Sequence, residues 1–119
     1  MKALAILAGL SGALAVIAGA YGVHGATGQA ASWFGTGSHY QLVHAVAVMA
    51  VMHRPLGRLA GWCFVAGTAL FAGSLYALAL GAPHILGIVP PFGGAAMIAG
   101  WLALAVGAWR EASPSHRSS

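Results

Sequence analysis

Charge is what this sequence has least of. Its 119 residues include five Lys or Arg and one acidic residue, while 60% are hydrophobic. A soluble domain carries about a quarter of its residues as Asp, Glu, Lys or Arg. So few charges cannot cover a water-facing surface, and the composition excludes an ordinary globular enzyme and a disordered chain. The basic residues Lys2, Arg54, Arg58, Arg110 and Arg117 are scattered along the chain. Nucleic-acid binding needs a clustered basic stripe, so nucleic acid is not an expected partner. The single carboxylate, Glu111, follows Arg110 outside every apolar run. Intramembrane carboxylate relays, paired-carboxylate hydrolysis and Ser/His/Asp triads are thereby excluded. The lone Cys63 makes no internal disulfide and belongs to no CxxC pair.

What the sequence does have is apolar length, with a mean hydropathy of +0.85. Crossing about 30 Å of hydrocarbon takes about 20 helical residues. Four spans are expected, at about 3–23, 36–52, 59–80 and 92–109, forming one transmembrane domain over residues 1–110. A polar cytoplasmic tail, 111–119, follows. The second span is the weakest, because Tyr40 to Met52 alone is too short. It begins earlier or enters through an interfacial stretch around Ala30 to Ser38, which holds Trp33 and Phe34. The link 81–91 carries Pro83, Pro90 and Pro91 and reads as an irregular interfacial cap. Lys2 precedes the first span, Arg54 and Arg58 separate the second from the third, and Arg110 and Arg117 follow the fourth. By the positive-inside rule both termini are cytoplasmic. The expectation is an all-α, integral membrane four-helix bundle, N-in and C-in, multi-pass in the bacterial plasma (inner) membrane. Lys2, the first apolar run and Ala18-Gly19-Ala20 also share the layout of a cleavable secretory signal, although the run exceeds the usual signal core.

Lipid tails give helices no hydrophobic drive to associate, so close backbone approach supplies the packing energy. Small residues four apart mark such faces: Gly9 with Ala13, Ala15 with Gly19, Ala18 with Gly22, and Ala69 with Gly73. The fourth span adds Gly93, Gly94, Ala96 and Gly100. The same faces serve internal packing or a homo-oligomer.

The few polar groups inside the spans carry the functional question. Tyr40, Gln41 and His44 share one helical face. Ser74 and Tyr76 lie late in the third span, and His24 ends the first. At 1.5 Å per residue, His44 lies about 9 Å below a helix start near Ser38, and Ser74 about 10 Å below Leu80. These six residues are the candidate polar cluster, expected in the outer half of the bundle. They act as interhelical polar glue, or they bind or transport a small neutral or weakly polar molecule at His44. No nucleophile–base pair is evident, so catalysis is not expected. Metal ligation is not expected either. His24, His39, His44 and His84 match no zinc spacing, and Met49, Met52 and His53 form a soft set better explained as packing. No cofactor is implied. The expected partners are the lipid bilayer and a homo-oligomer or larger membrane complex.

Four segments together resemble the domain of unknown function 423 family, the YgdD-like and transmembrane protein 256-like small membrane proteins. They are Gly19-Ala20-Tyr21-Gly22-Val23-His24-Gly25, Tyr40-Gln41-Leu42-Val43-His44-Ala45, Phe71-Ala72-Gly73-Ser74-Leu75-Tyr76 and Pro90-Pro91-Phe92-Gly93-Gly94. The likeness spans about residues 3 to 110. Val23, Gly35 and His39 depart from the usual alanine, acidic and basic residues. The resemblance implies a four-helix bundle and carries no reaction or substrate. Its motifs contain His24, Tyr40, Gln41, His44, Ser74 and Tyr76.

Overall fold

A computed structural model describes residues 2–112. They form α1 (Lys2–His24), α2 (Gly28–Val51), α3 (Gly57–Ala79) and α4 (Pro90–Glu111), with a short 3-10 helix, His84–Ile88, before the last. Most of the expected polar tail, with His116 and Arg117, lies outside the described residues.

Each helix buries one narrow stripe. In α1 the buried residues are Leu4, Ala8, Ala15, Ala18 and Gly22, and half-buried Ser11 fills the gap. In α2 they include Phe34, Gly37, Gln41, His44 and Val48. Steps of three and four residues give the seven-residue repeat of left-handed helix packing. The opposite faces are apolar and exposed, as at Leu10, Ile17, Val46 and Leu102, and suit lipid. Among the described residues, α1, α3 and the stretch His84–Glu111 are long and apolar enough to cross a membrane. At 24 residues α2 is as long as these, about 36 Å, but Ser32, Thr36, His39, Gln41 and His44 lower its hydropathy.

The helices pack in chain order, α1 on α2, α2 on α3 and α3 on α4, with a lighter contact from α1 to α3. No comparable interface joins α1 to α4 or α2 to α4, so the bundle is open. Short links make neighbours antiparallel. The apolar core, Leu4, Ala8, Ala47, Val48, Ala60 and Phe64, fills the end where α1 and α3 begin. Lys2, Arg54, Arg58 and Arg110 gather at that same end. There Arg54 donates to Glu111 across 3.1 Å, with both side chains about half exposed. Glu111 is thus the last residue of α4 rather than part of a free tail. An exposed pair of this kind contributes at most about 1 kcal/mol.

Glycine sets the α3–α4 seam. Gly93, Gly100 and Gly107 recur every seven residues and are all buried. A Cβ at Gly93 would lie 2.5 Å from the Gly67 carbonyl and 2.6 Å from the Phe71 amide nitrogen. At Gly100 it would meet the Phe64 ring at 2.5 Å. The two backbones approach this closely only because no side chain intervenes.

Two helix starts and one link differ from those expected. Helix α2 starts at Gly28, not near residue 36. Thr27 is extended and Gly28 has φ +59°, so the chain reverses directly after α1 and re-enters helix. Trp33 and Phe34 are therefore helical. Phe34 is buried edge-on to Tyr21 and stacked on Tyr76. Helix α4 begins at Pro90 because its first turn needs no amide donors from Pro90 and Pro91. The preceding link is an ordered 3-10 turn rather than irregular.

Candidate functional site

The polar side chains of α2 tie it to each of the other helices. Gln41, only 5% exposed, reaches two of them. Its Nε2 donates to Ser11 Oγ on α1 at 3.1 Å, and its Oε1 accepts from the Tyr76 hydroxyl on α3 at 2.6 Å. Tyr76 reaches Gln41 across Gly37, where a Cβ would come within 2.7 Å of its ring. One turn further along the same face, His44 reaches α4. Its Nε2 accepts the indole N–H of Trp101 at 3.0 Å, and its Nδ1 lies 2.7 Å from its own helix's Tyr40 carbonyl. A carbonyl only accepts and an indole N–H only donates. The imidazole is therefore the neutral Nδ1–H tautomer with both nitrogens engaged. Its ring packs against Phe64 and Trp101 at centroid distances of 5.0 and 5.8 Å.

The six sequence-predicted residues divide accordingly. Gln41 and Tyr76 share one hydrogen bond, and Tyr40 and His44 share another. Ser74 is buried but turns back onto its own helix, donating to the Phe71 carbonyl at 3.0 Å. His24 is exposed at the end of α1. The depth assigned from the sequence also changes. Because α2 starts at Gly28, His44 stands sixteen residues into the helix and seven from its end. Its partners Phe64 and Trp101 lie in the first half and the middle of their helices. The His44 site therefore lies past the middle of α2, toward the end where α1 and α3 begin, and not in the half where α2 starts.

Two partners escaped the sequence reading. Ser11 is the sole Ser or Thr of α1, and Trp101 is an indole far from either end of α4. A buried hydroxyl and a mid-span indole N–H both need partners, and that requirement is the signal that finds them. Among the described residues no buried side-chain nitrogen or oxygen lacks a partner. Among the same residues no three His, Cys, Asp or Glu side chains converge as a metal site.

Beside His44 the open side of the bundle leaves a cleft of about 320 Å³ between α2 and α4. Tyr40 and His44 form one wall, Gly94, Ile98 and Trp101 the other, and Phe71 the floor.

The family described as "Protein of unknown function (DUF423)" matches residues 18–94. The chain is 38% identical to the UPF0382 membrane protein of Haemophilus influenzae, covering 90% of this chain and 94% of that one. It is 38% identical to the UPF0382 membrane protein YwdK of Bacillus subtilis, over 91% and 97%. The UPF0382 inner membrane protein YgdD of Escherichia coli is 36% identical, over 88% of each chain. No solved structure matches the chain. Nothing in these descriptions points to an enzymatic activity.

Proposed function

The chain belongs to the DUF423 family and is a multi-pass protein of the bacterial inner membrane, and from that premise we propose that it is a non-catalytic structural or interaction protein serving a membrane assembly. One observation carries this. The buried polar side chains Gln41, His44, Thr68 and Ser74 are all bonded within the chain, leaving none as a free reactive group. Much of the outward-facing surface is apolar or small. Gly9 and Ala13 are exposed beside a groove of about 300 Å³ between α1 and α2, and Gly73 is exposed on α3. Such surfaces suit a helix from another chain. The end bearing Lys2, Arg54, Arg58 and Arg110 is the cytoplasmic one, with both termini inside.

A fluorescent protein fused to the C-terminus tests both parts. The fusion should fluoresce in cells and, after mild solubilisation, elute in a particle larger than the bundle alone. A dark fusion overturns the orientation. A monodisperse single copy with nothing bound contradicts the assembly role.

The cleft beside His44 supports a second reading, a binding site for a small neutral or weakly polar molecule. It remains a recess on the open side of the bundle, although His44 itself is engaged.

A further inference from the structure

We infer that the α2–α4 cleft receives a neutral, planar, lipid-soluble ring bearing a carbonyl oxygen, of which a quinone headgroup is the chemical type. The inference rests on the second reading above and names its ligand. Four features of the cleft specify this class. First, no Lys, Arg, Asp or Glu lines it, so nothing there would pair with a charged ligand. Second, its sides are aromatic. Tyr40 packs edge-on to Phe71 at 5.0 Å, and Trp101 stands across from them, surfaces that suit another flat ring. Third, at about 320 Å³ it lies at the small end of ligand pockets. Fourth, Tyr40 brings a hydroxyl. It stands twelve residues into α2, at the helix midpoint, half exposed to the cleft side. Among the described residues its hydroxyl has no hydrogen-bond partner, while the nearby His44 and Trp101 donors are engaged with protein. A hydroxyl at this depth has no water to bond, so an acceptor oxygen on the ligand completes it. Gly94 keeps the opposite wall clear, since a Cβ there would meet nothing within 4 Å.

Gly94 also supplies the test, because a side chain at that position enters the cleft without touching a helix seam. The full chain is prepared with Trp33, Trp62 and Trp109 replaced by Phe, leaving Trp101 as the sole indole. Its helicity is checked by circular dichroism, and the emission is titrated with a short-chain benzoquinone. Saturable quenching is expected. Gly94→Leu should raise the half-saturating concentration about tenfold or more, and Tyr40→Phe about two- to tenfold for one lost hydrogen bond. Quenching that rises linearly and equally in all three proteins overturns the ring assignment. Lipids brominated on the acyl chain separate the two levels of failure. If Gly94→Leu weakens only their quenching, the cleft holds lipid tails and a binding site there stands without a ring ligand. If it changes neither, the cleft binds nothing and the second reading falls as well.

Discussion

Gly93→Ala is expected to destabilise the bundle by about 1–3 kcal/mol, the usual range for forcing an extra methyl group into a packed interior. Gly94→Ala, one residue along the same helix, should be neutral or stabilising by up to about 1 kcal/mol, since alanine is the better helix former. The contrast isolates the physics. Both residues lie in the first turns of α4, with the same intrinsic propensity. At Gly93 the new methyl would meet the Gly67 carbonyl and the Phe71 amide, backbone atoms that cannot rotate away. At Gly94 it would meet open space. The bundle must therefore separate α4 from α3 at Gly93, which in turn strains the Trp101–His44 bond that holds α4 to α2. Reversible unfolding in mixed micelles, titrated with a denaturing detergent, measures both variants. Equal effects at the two positions would contradict the close α3–α4 seam.

Gln41→Leu is expected to cost about 1–3 kcal/mol, because it orphans the Tyr76 hydroxyl in the interior. Adding Tyr76→Phe should then restore part of the loss, since replacing both partners by apolar groups removes the unsatisfied donor. The cycle formed by the two single variants and the double variant reads the coupling directly. Interhelical hydrogen bonds in membranes average about 0.6 kcal/mol and reach about 2, so a coupling inside that range is predicted. Strict additivity would mean that Gln41 and Tyr76 do not bond. Ser11→Ala provides a milder companion, because the Gln41 amide keeps its shorter bond to Tyr76 when Ser11 is lost.

The sequence made the helical count and the membrane setting legible because both follow from composition and from where five basic residues stand. It also picked out Gln41, His44 and Tyr76, since polar groups within apolar runs are rare enough to stand out. Depth was not legible. Helix α2 begins with no proline and no charge, and its first turns are too polar to read as a span, so the pattern places its start too late and His44 in the wrong half of the helix. The start is fixed instead by packing, with Phe34 buried against Tyr21 and Tyr76. Ser74 was drawn into the cluster by its depth alone, whereas a serine in a helix can satisfy itself on its own backbone. Trp101 stands mid-span with nothing in its sequence neighbourhood to name a partner, and only the location of α4 against α2 shows what its N–H bonds.

The Trp101–His44 bond is the most direct test of whether α2's polar groups are fasteners. In nitrogen-labelled protein, the Trp101 indole and His44 Nε2 should show scalar coupling through the hydrogen bond, with the His44 proton held on Nδ1. An absent coupling, with the His44 proton exchanging between both ring nitrogens, would mean that the imidazole is free and that the polar groups of α2 are not committed to holding the bundle together.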